Sequence, residues 1–187
     1  EKMQFKELNI IPEILRALSD EHYKIPTPIQ EQAIPEVLSG HDIFGCAQTG
    51  TGKTAAFAIP TLQLLINQKD RKKNRNHIQA LILSPTRELA LQIHESFLTY
   101  GKHTDIHSRV IFGGVSQHPQ VEAMKQGTDV LVATPGRLID LINQGIVDLS
   151  HLKILILDEA DQMLDMGFIR DIRKIIAKTP ASRQTLL

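Results

Sequence analysis

The chain has 187 residues, of which 42% are hydrophobic and 22% charged, so we expect one domain with a single good-sized core. Lys plus Arg and Asp plus Glu both number 21, which excludes a global basic field, so any contact with nucleic acid must be local. The single cysteine, Cys46, excludes an internal disulfide framework. Because no run approaches ~18 apolar residues and the N-terminus lacks an apolar signal core, the sequence predicts a cytoplasmic protein without membrane contact.

The N-terminal part of the chain predicts helices. Apolar residues recur at helical spacing from Pro12 to Leu18, and a second helix is expected to open at Pro28, since proline suits a first turn. We interpret residues 1–41 as a helical preface to the domain. A short strand from Asp42 to Cys46 is expected next, followed by a glycine-containing loop and a helix from Lys53 to about Asn67.

The remainder alternates strands and helices. The predicted strands are Gln79–Ser84, Arg109–Phe112, Asp129–Ala133, Lys153–Leu157 and an apolar last strand, Arg183–Leu187. The predicted helices are Arg87–Tyr100, Gln117–Gln126, Gly136–Asn143 and two more around Gln162–Leu164 and Ile169–Lys178. Continuous apolar runs in the strands indicate that both sheet faces are covered. The pattern predicts an α/β fold with a parallel β-sheet and helices on both faces, whose ligands bind at the strand-to-helix turns.

The first of these turns has the composition of a phosphate-binding loop, Ala47-Gln48-Thr49-Gly50-Thr51-Gly52-Lys53-Thr54. Gly50 and Gly52 allow a tight turn, and the following helix directs its positive dipole end at the same place. Lys53 would bind the β- and γ-phosphates, and the Thr54 hydroxyl would bind Mg²⁺. A strict pattern requires glycine at position 47, where this chain has alanine. The alternative is an ordinary glycine turn that caps a helix.

A second turn, Asp158-Glu159-Ala160-Asp161, places carboxylates directly after a hydrophobic strand. Asp158 is suited to hold Mg²⁺ opposite Thr54, and Glu159 could orient and deprotonate an attacking water. The alternative is an acidic helix N-terminus, which the helix dipole favours by itself. We therefore take Lys53, Asp158 and Glu159 as the candidate catalytic residues of an ATP-hydrolysing site.

The nucleotide base can be argued from Gln30, which stands at the start of the second predicted helix. A glutamine amide presents a donor beside an acceptor, which matches adenine N7 and N6–H₂ and opposes the two acceptors of guanine. This favours ATP over GTP if Gln30 reaches the base. Phe5 could stack on the base, or it could be an ordinary core residue.

The sequence leaves the roles of two further features undecided. Residues 69–76 hold five basic side chains against one acidic side chain, which is typical of a solvated loop or, alternatively, of a phosphate-binding patch. Cys46 precedes the glycine loop, where it could serve redox control or simply fill a buried strand end. The histidine spacings do not indicate a zinc site.

These motifs together resemble the first RecA-like domain of a DEAD-box RNA helicase, over essentially the whole chain. Ala47–Thr54 is similar to that family's motif I, in which alanine at the first position is usual, and Asp158–Asp161 is similar to the motif that names the family. Tyr23–Gln30 resembles its Q motif, with Phe5 at the expected upstream distance and His22 where the family usually has glycine. The residues then predicted to bind nucleotide are Phe5, Tyr23, Gln30, Gln48, Thr49, Gly50, Thr51, Gly52, Lys53 and Thr54, with Mg²⁺ held by Thr54 and Asp158.

The resemblance also implies an RNA-binding face. Pro85-Thr86-Arg87-Glu88-Leu89-Ala90 resembles motif Ia, Gly113-Gly114 the paired glycines and Thr134-Pro135-Gly136-Arg137 motif Ib. The RNA-binding residues implied are Pro85, Thr86 and Arg87 of the first segment and all residues of the other two. Physically, helix N-termini and arginines gathered at one sheet edge suit backbone phosphates, which predicts sequence-independent binding but does not separate RNA from DNA. The alternative for each arginine is a solvated helix cap. Within the family, residues 163–168 are most similar to bacterial RhlE-type members.

Family members continue into a second RecA-like domain that supplies arginine fingers and half of the RNA surface. The resemblance therefore implies a fragment that binds nucleotide but hydrolyses it poorly alone. Two other functions remain possible at this point. One is a P-loop ATPase that acts on DNA, and the other is a nucleic-acid or protein interaction module without turnover.

Overall fold

Five parallel strands form the centre of the fold. The computed structural model describes residues 1–45, 52–68 and 77–187, and within these residues one sheet has the strand order β2-β3-β1-β4-β5. The strands are β1 Ala80–Leu83, β2 Ser108–Ile111, β3 Val130–Ala133, β4 Ile154–Leu157 and β5 Gln184–Leu186. The predicted parallel sheet is confirmed.

Within the described residues, three α-helices precede β1 and five lie between successive strands. They are α1 Pro12–Asp20, α2 Pro28–Leu38, α3 Lys53–Ile66, α4 Arg87–Tyr100, α5 His118–Lys125, α6 Pro135–Asn143, α7 Ala160–Asp165 and α8 Ile169–Ala177. Side-chain caps explain some of the starts: Thr86 Oγ1 accepts a hydrogen bond of 3.2 Å from Leu89 N at the start of α4. Across the described ranges, none of the helices combines the length and the apolar character needed to cross a bilayer.

Side chains alternate between two hydrophobic cores on opposite faces of the sheet. In β1, Ala80 and Ile82 pack with the buried residues of α1 to α4, whereas Leu81 and Leu83 pack with those of α5 to α8. All four side chains are 0% exposed. Because both faces are covered, the central strands β1, β3 and β4 are buried and apolar at every position, which explains the uninterrupted runs in the sequence. Helices lie on both faces, as predicted.

The predicted strand from Asp42 to Cys46 is the main difference in the sheet. The described part of it forms an isolated parallel bridge between Ile43 and Leu186, with Ile43 N donating to Thr185 O at 3.1 Å and Leu187 N donating to Ile43 O at 2.9 Å. Cys46 lies outside the described residues. The described part of the segment thus runs parallel to β5 at this edge of the sheet.

Helix α6 begins one residue earlier than expected, at Pro135 instead of Gly136. Proline fits a first helical turn because its φ is already helical and its missing N–H would have no intrahelical partner there. Strand β1 has β3 on one side and β4 on the other. The turns that follow β1, β3 and β4 therefore emerge at the same edge of the sheet, where a parallel α/β fold binds its ligands.

Candidate functional site

An ion-pair cluster lies at the carboxyl edge of the sheet. Lys53 Nζ, at the first residue of α3, is 2.8 Å from Asp158 Oδ1 and 2.8 Å from Glu159 Oε1. The two carboxylates directly follow β4, and the Asp158 side chain is only 3% exposed. The fold thus brings the three candidate catalytic residues together across more than a hundred residues of sequence.

Burial and charge act in opposite directions in this cluster. Burial raises the pKa of the Asp158 carboxyl above its ordinary value, although the hydrogen bond and charge of Lys53 counteract it. Burial also works to lower the pKa of Lys53, but its hydrogen bonds to Asp158 and Glu159, together with their charges, outweigh that effect and raise it. Lys53 therefore stays protonated at neutral pH, and its ammonium compensates the buried carboxylate.

Glu159 has an unusual backbone conformation. Its φ of 54° and ψ of 49° lie in the left-handed region, where side chains other than glycine are uncommon. It is the N-cap residue of α7, and its carboxylate contacts Lys53. Residues held in such conformations cluster at functional sites, where the surrounding structure compensates the strain.

Gln30 links the start of α2 to the end of the glycine loop. Thr27 N donates to Gln30 Oε1 at 3.0 Å, and Gln30 Nε2 donates to Gly52 O at 3.1 Å. A Cβ at Gly52 would lie 2.5 Å from Gln30 Nε2 and 2.8 Å from Thr27 Oγ1, and its φ is +83°, so glycine alone fits there. The amide keeps one N–H and one lone pair beyond these bonds. The sequence argument assigned Gln30 to the base and missed this internal role.

A cleft of about 710 Å³ surrounds the cluster, within the size range of small-molecule sites. Among the predicted residues, its lining includes Phe5, Tyr23, Gln30, Gly52, Lys53, Thr54, Asp158 and Glu159. Phe5 is 4% exposed and packs in the core, whereas Tyr23 is 51% exposed. The predicted residues Gln48, Thr49, Gly50 and Thr51, and the basic segment 69–76, lie outside the described residues.

Helix α4 contributes a wall of this cleft that sequence reasoning missed. Glu88, Gln92 and Tyr100 line it. Burial, together with the nearby Tyr23 and Glu21, raises the pKa of Tyr100 to about 12. Glu88 belongs to the segment that resembles motif Ia, but no motif marks Gln92 or Tyr100, which have the spacing of any amphipathic helix.

The turn before Tyr23 explains a departure from the family pattern. His22 has a φ of 60°, which is the left-handed conformation that glycine adopts most easily. Histidine is among the few other residues enriched there. His22 therefore holds a conformation that glycine adopts without strain.

The predicted RNA-binding residues lie at the same edge, with different exposures. Arg87, Gly113, Gly114 and Gly136 are exposed, Thr86, Thr134 and Arg137 are half-buried, and Pro85 and Pro135 are buried. The two prolines therefore shape the backbone instead of offering a contact surface. The Arg87 guanidinium lies over the Phe112 ring, with its Cζ 4.9 Å from the ring centroid.

Arg137 is bonded within the chain. It donates to Gln120 Oε1 at 3.0 Å and to Val115 O at 2.7 Å. Gln120 in turn bonds the backbone of Phe112, accepting from its N–H at 3.2 Å and donating to its carbonyl oxygen at 3.1 Å. Gln120 carried no signal in the sequence, because an exposed helical glutamine and a bonded one have the same pattern.

Comparison with known proteins identifies the family. The profile of the family described as DEAD/DEAH box helicase matches residues 27–187. The chain belongs to this family. It is 48% identical over 185 residues to the ATP-dependent RNA helicase CshA of Limosilactobacillus reuteri, covering 99% of this chain and 36% of that protein. It is 45% identical over 184 residues to the ATP-dependent RNA helicase DeaD of Escherichia coli K12, covering 98% and 28% respectively.

A solved structure supports the same assignment. The crystal structure of a DEAD box protein from the hyperthermophile Methanococcus jannaschii matches this DEAD-box chain with a TM-score of 0.90 at 40% identity, over 100% of this chain and 50% of that one. The RecA-like fold is thereby confirmed. The chain spans about a third of the length of the curated relatives named above. Those relatives are CshA and DeaD proteins, so the similarity to RhlE-type members stays a prediction.

Proposed function

We propose that this chain is the ATP- and RNA-binding N-terminal RecA-like domain of an ATP-dependent DEAD-box RNA helicase. The observation that carries the proposal is the cluster in which Lys53 Nζ lies 2.8 Å from both Asp158 and Glu159, at the sheet edge where such folds bind ligands. The names of the CshA and DeaD relatives support the same activity.

Lys53 would bind the β- and γ-phosphates of ATP. Its ammonium is charged and half-buried beside two carboxylates, so a phosphate would be an alternative anionic partner at the same place. Gly52, whose carbonyl oxygen Gln30 holds, sets the entry of the chain into α3. The positive end of α3 adds to the attraction for phosphate.

Thr54 and Asp158 are assigned to Mg²⁺. Both side chains offer hard oxygen donors and both line the same cleft, which fits the ligand preference of this ion. Within the described ranges no set of three or more acidic, histidine or cysteine side chains could hold a metal by itself. That is compatible with Mg²⁺, which commonly takes one or two protein ligands. When bound, it would neutralise charge on the phosphates.

Glu159 is assigned to the attacking water, which it would orient and deprotonate. It stands at the start of α7 with a left-handed backbone, and its carboxylate contacts Lys53. The remaining N–H and lone pair of Gln30 would hydrogen-bond the edge of adenine. Phe5 and Tyr23, which line the same cleft, would contact the base.

We call the surface formed by Arg87, Arg137, Gly113, Gly114 and Gly136 the nucleic-acid face. It would bind the phosphate backbone of single-stranded RNA. Arg87, Arg137 and the exposed glycines Gly113, Gly114 and Gly136 provide charge and accessible backbone, and none of them forms a pattern that would select a base. Affinity should fall with salt by about 0.7 log units per neutralised phosphate for each log unit of salt.

Efficient ATP hydrolysis would require the full-length protein. We propose that a second RecA-like domain completes the site and that this chain alone hydrolyses ATP poorly, since arginine fingers contribute ~10³ to 10⁵ in rate in other NTPases. The chain's partial coverage of its relatives supports this division.

The cytoplasmic location stays a prediction.

Binding measurements on this chain test the proposal. Calorimetry with ATP and GTP in the presence of Mg²⁺ should show binding of ATP and weaker binding of GTP. Fluorescence anisotropy with labelled oligouridine and oligothymidine should show binding of the RNA. A chain that binds neither nucleotide would refute the ATP assignment, and binding of DNA alone would favour an ATPase that acts on DNA.

A further inference from the structure

The Gln120 side chain joins two loops of the nucleic-acid face. Its Oε1 accepts from Phe112 N at 3.2 Å and from Arg137 at 3.0 Å, and its Nε2 donates to Phe112 O at 3.1 Å. Arg137 also donates to Val115 O at 2.7 Å. We call this set of bonds the Gln120 clamp. It closes a ring from the end of β2, through α5 and α6, back to the loop that contains Gly113 and Gly114.

The clamp holds Arg137 without cancelling its charge. Both acceptors, Gln120 Oε1 and Val115 O, are neutral oxygens. Arginine has five N–H donors, so the bonds to these two acceptors leave others for phosphate oxygens. Because the guanidinium is already oriented, less side-chain entropy is lost when a phosphate binds.

The clamp also acts on Arg87 through Phe112. The Arg87 guanidinium lies over the Phe112 ring at 4.9 Å, and Gln120 bonds both backbone polar groups of Phe112. A shift of this backbone would move the ring and remove the surface on which Arg87 rests. One glutamine is therefore coupled to both arginines of the face.

We propose that Gln120 is a positioning residue for RNA binding, which orients Arg137 directly, Arg87 through Phe112, and the loop that holds Gly113 and Gly114. The inference rests on the proposed function, because it requires that this face binds RNA. Gln120 itself needs no contact with the RNA.

The first test compares two glutamines of the same region. Gln120→Met keeps the length of the side chain and removes its hydrogen bonds, whereas Gln117→Met removes the reciprocal amide pair with Gln144, at 2.9 and 3.0 Å, and leaves the clamp intact. Anisotropy with labelled oligouridine should show roughly tenfold weaker binding for Gln120→Met and near-normal binding for Gln117→Met. Equal affinities of Gln120→Met and the wild type would overturn the proposal.

A double-mutant cycle separates positioning from general destabilisation. If Gln120 acts through Arg137, then Gln120→Met should weaken RNA binding much less in an Arg137→Ala background than in the wild type. Full additivity would overturn the proposed link to Arg137. ATP affinity measured on the same variants should stay unchanged, and a parallel loss of ATP affinity would show a structural effect instead.

Hydrogen exchange tests the clamp without RNA. The Phe112 amide should lose protection in Gln120→Met and keep it in Gln117→Met, and retained protection in both would overturn the clamp. If the wild-type chain binds ATP but no RNA, the RNA part of the proposed function fails and the positioning proposal fails with it, whatever the exchange shows. If the wild type binds RNA and Gln120→Met binds it equally well, the positioning proposal fails alone.

Discussion

The nucleotide cleft and the nucleic-acid face bind their basic side chains, Lys53 and Arg137, in opposite ways. At the nucleotide cleft, Lys53 lies 2.8 Å from each of two carboxylates, one of them buried. On the nucleic-acid face, Arg137 is held by two neutral oxygens. The first arrangement neutralises the cation, and the second orients it while preserving its charge. A phosphate that binds Lys53 must therefore compete with existing ion pairs, whereas a phosphate that binds Arg137 adds to a prepared site.

This difference predicts that removing Lys53 changes both ligand affinity and stability, because the buried Asp158 carboxylate loses its partner. Substitutions of the exposed face should change affinity with little effect on stability. The Gln120→Met and Arg137→Ala variants described above test the nucleic-acid face, and the following experiments test the cleft and its surroundings, in order of decreasing expected effect.

Lys53→Ala should abolish ATP binding, with affinity at least ~10²-fold lower, because it removes the charge that meets the phosphates. It should also lower the free energy of unfolding, since Asp158 is left buried without its partner. Calorimetry and denaturant unfolding measure the two effects. Lys102→Ala is the matched control, because Lys102 pairs with Asp20 at 2.9 Å on the surface. Unchanged ATP affinity in Lys53→Ala would refute the placement of Lys53.

Glu159→Gln should slow ATP hydrolysis by the full-length protein by roughly 10² to 10⁴, because the amide cannot take a proton from water. ATP affinity should change little, since Lys53 keeps its bond to Asp158. Single-turnover kinetics and nucleotide titration separate the two quantities. Glu122→Gln, which removes a surface pair with Lys125, is the control. A normal rate in Glu159→Gln would remove this residue from the base role.

Gly52→Ala should weaken ATP binding by roughly tenfold and cost about 1–3 kcal/mol of stability, because its Cβ would meet Gln30 and Thr27 at a positive φ. Gly145→Ala is a close control. Gly145 also has a positive φ, of 74°, but a Cβ there would have nothing within 4 Å. Unfolding and calorimetry on both variants isolate the contact with Gln30, and equal losses would mean that backbone strain alone matters.

Gln30→Ala should reduce the preference for ATP over GTP by roughly tenfold if the amide reads the base. The control is Gln63→Ala, since Gln63 is also a buried glutamine with two bonds to backbone, to Ile11 N and Asn9 O. Competition binding with both nucleotides measures the ratio. Undiminished selectivity in Gln30→Ala would leave this residue with its internal role at Thr27 and Gly52 only.

His94 should give the smallest effect. Burial, with the charge of Arg109, lowers its pKa below the ordinary value, so the fold favours the neutral imidazole that bonds Ser108 Oγ at 3.1 Å. Its contribution is constant above the unfolded pKa of about 6.5 and is lost progressively as the pH falls below it. The free energy of unfolding should therefore fall more between about pH 7 and about pH 5 in the wild type than in His94→Gln. Parallel curves of unfolding free energy against pH for the two proteins would contradict the lowered pKa of His94 as the cause.

Residues with a chemical motif were predictable from the sequence. Apolar runs marked the covered strands, and the spacing of Lys53 and Asp158 from those strands placed them at one sheet edge, where the structure has them 2.8 Å apart. Position along the chain was enough, because a parallel sheet brings its turns together.

Roles that depend on a distant partner were not predictable. The bond from Gln30 to Gly52, the bonds of Gln120 to Phe112 and Arg137, and the contribution of Tyr100 to the cleft depend on side-chain direction in the folded state. The left-handed backbone of Glu159 was equally hidden, since nothing in its sequence context requires it. Of the strand expected at Asp42–Cys46, the described residues form only the bridge between Ile43 and Leu186.

Nucleotide turnover by the full-length protein tests the central claim most directly. ATP hydrolysis should be measured with single-stranded RNA, with single-stranded DNA of the same length, and with neither. The account predicts that RNA stimulates hydrolysis and that Glu159→Gln abolishes this stimulation while ATP still binds. Stimulation by DNA alone would contradict the RNA assignment, and no turnover under any of these conditions would contradict the assignment of an ATPase.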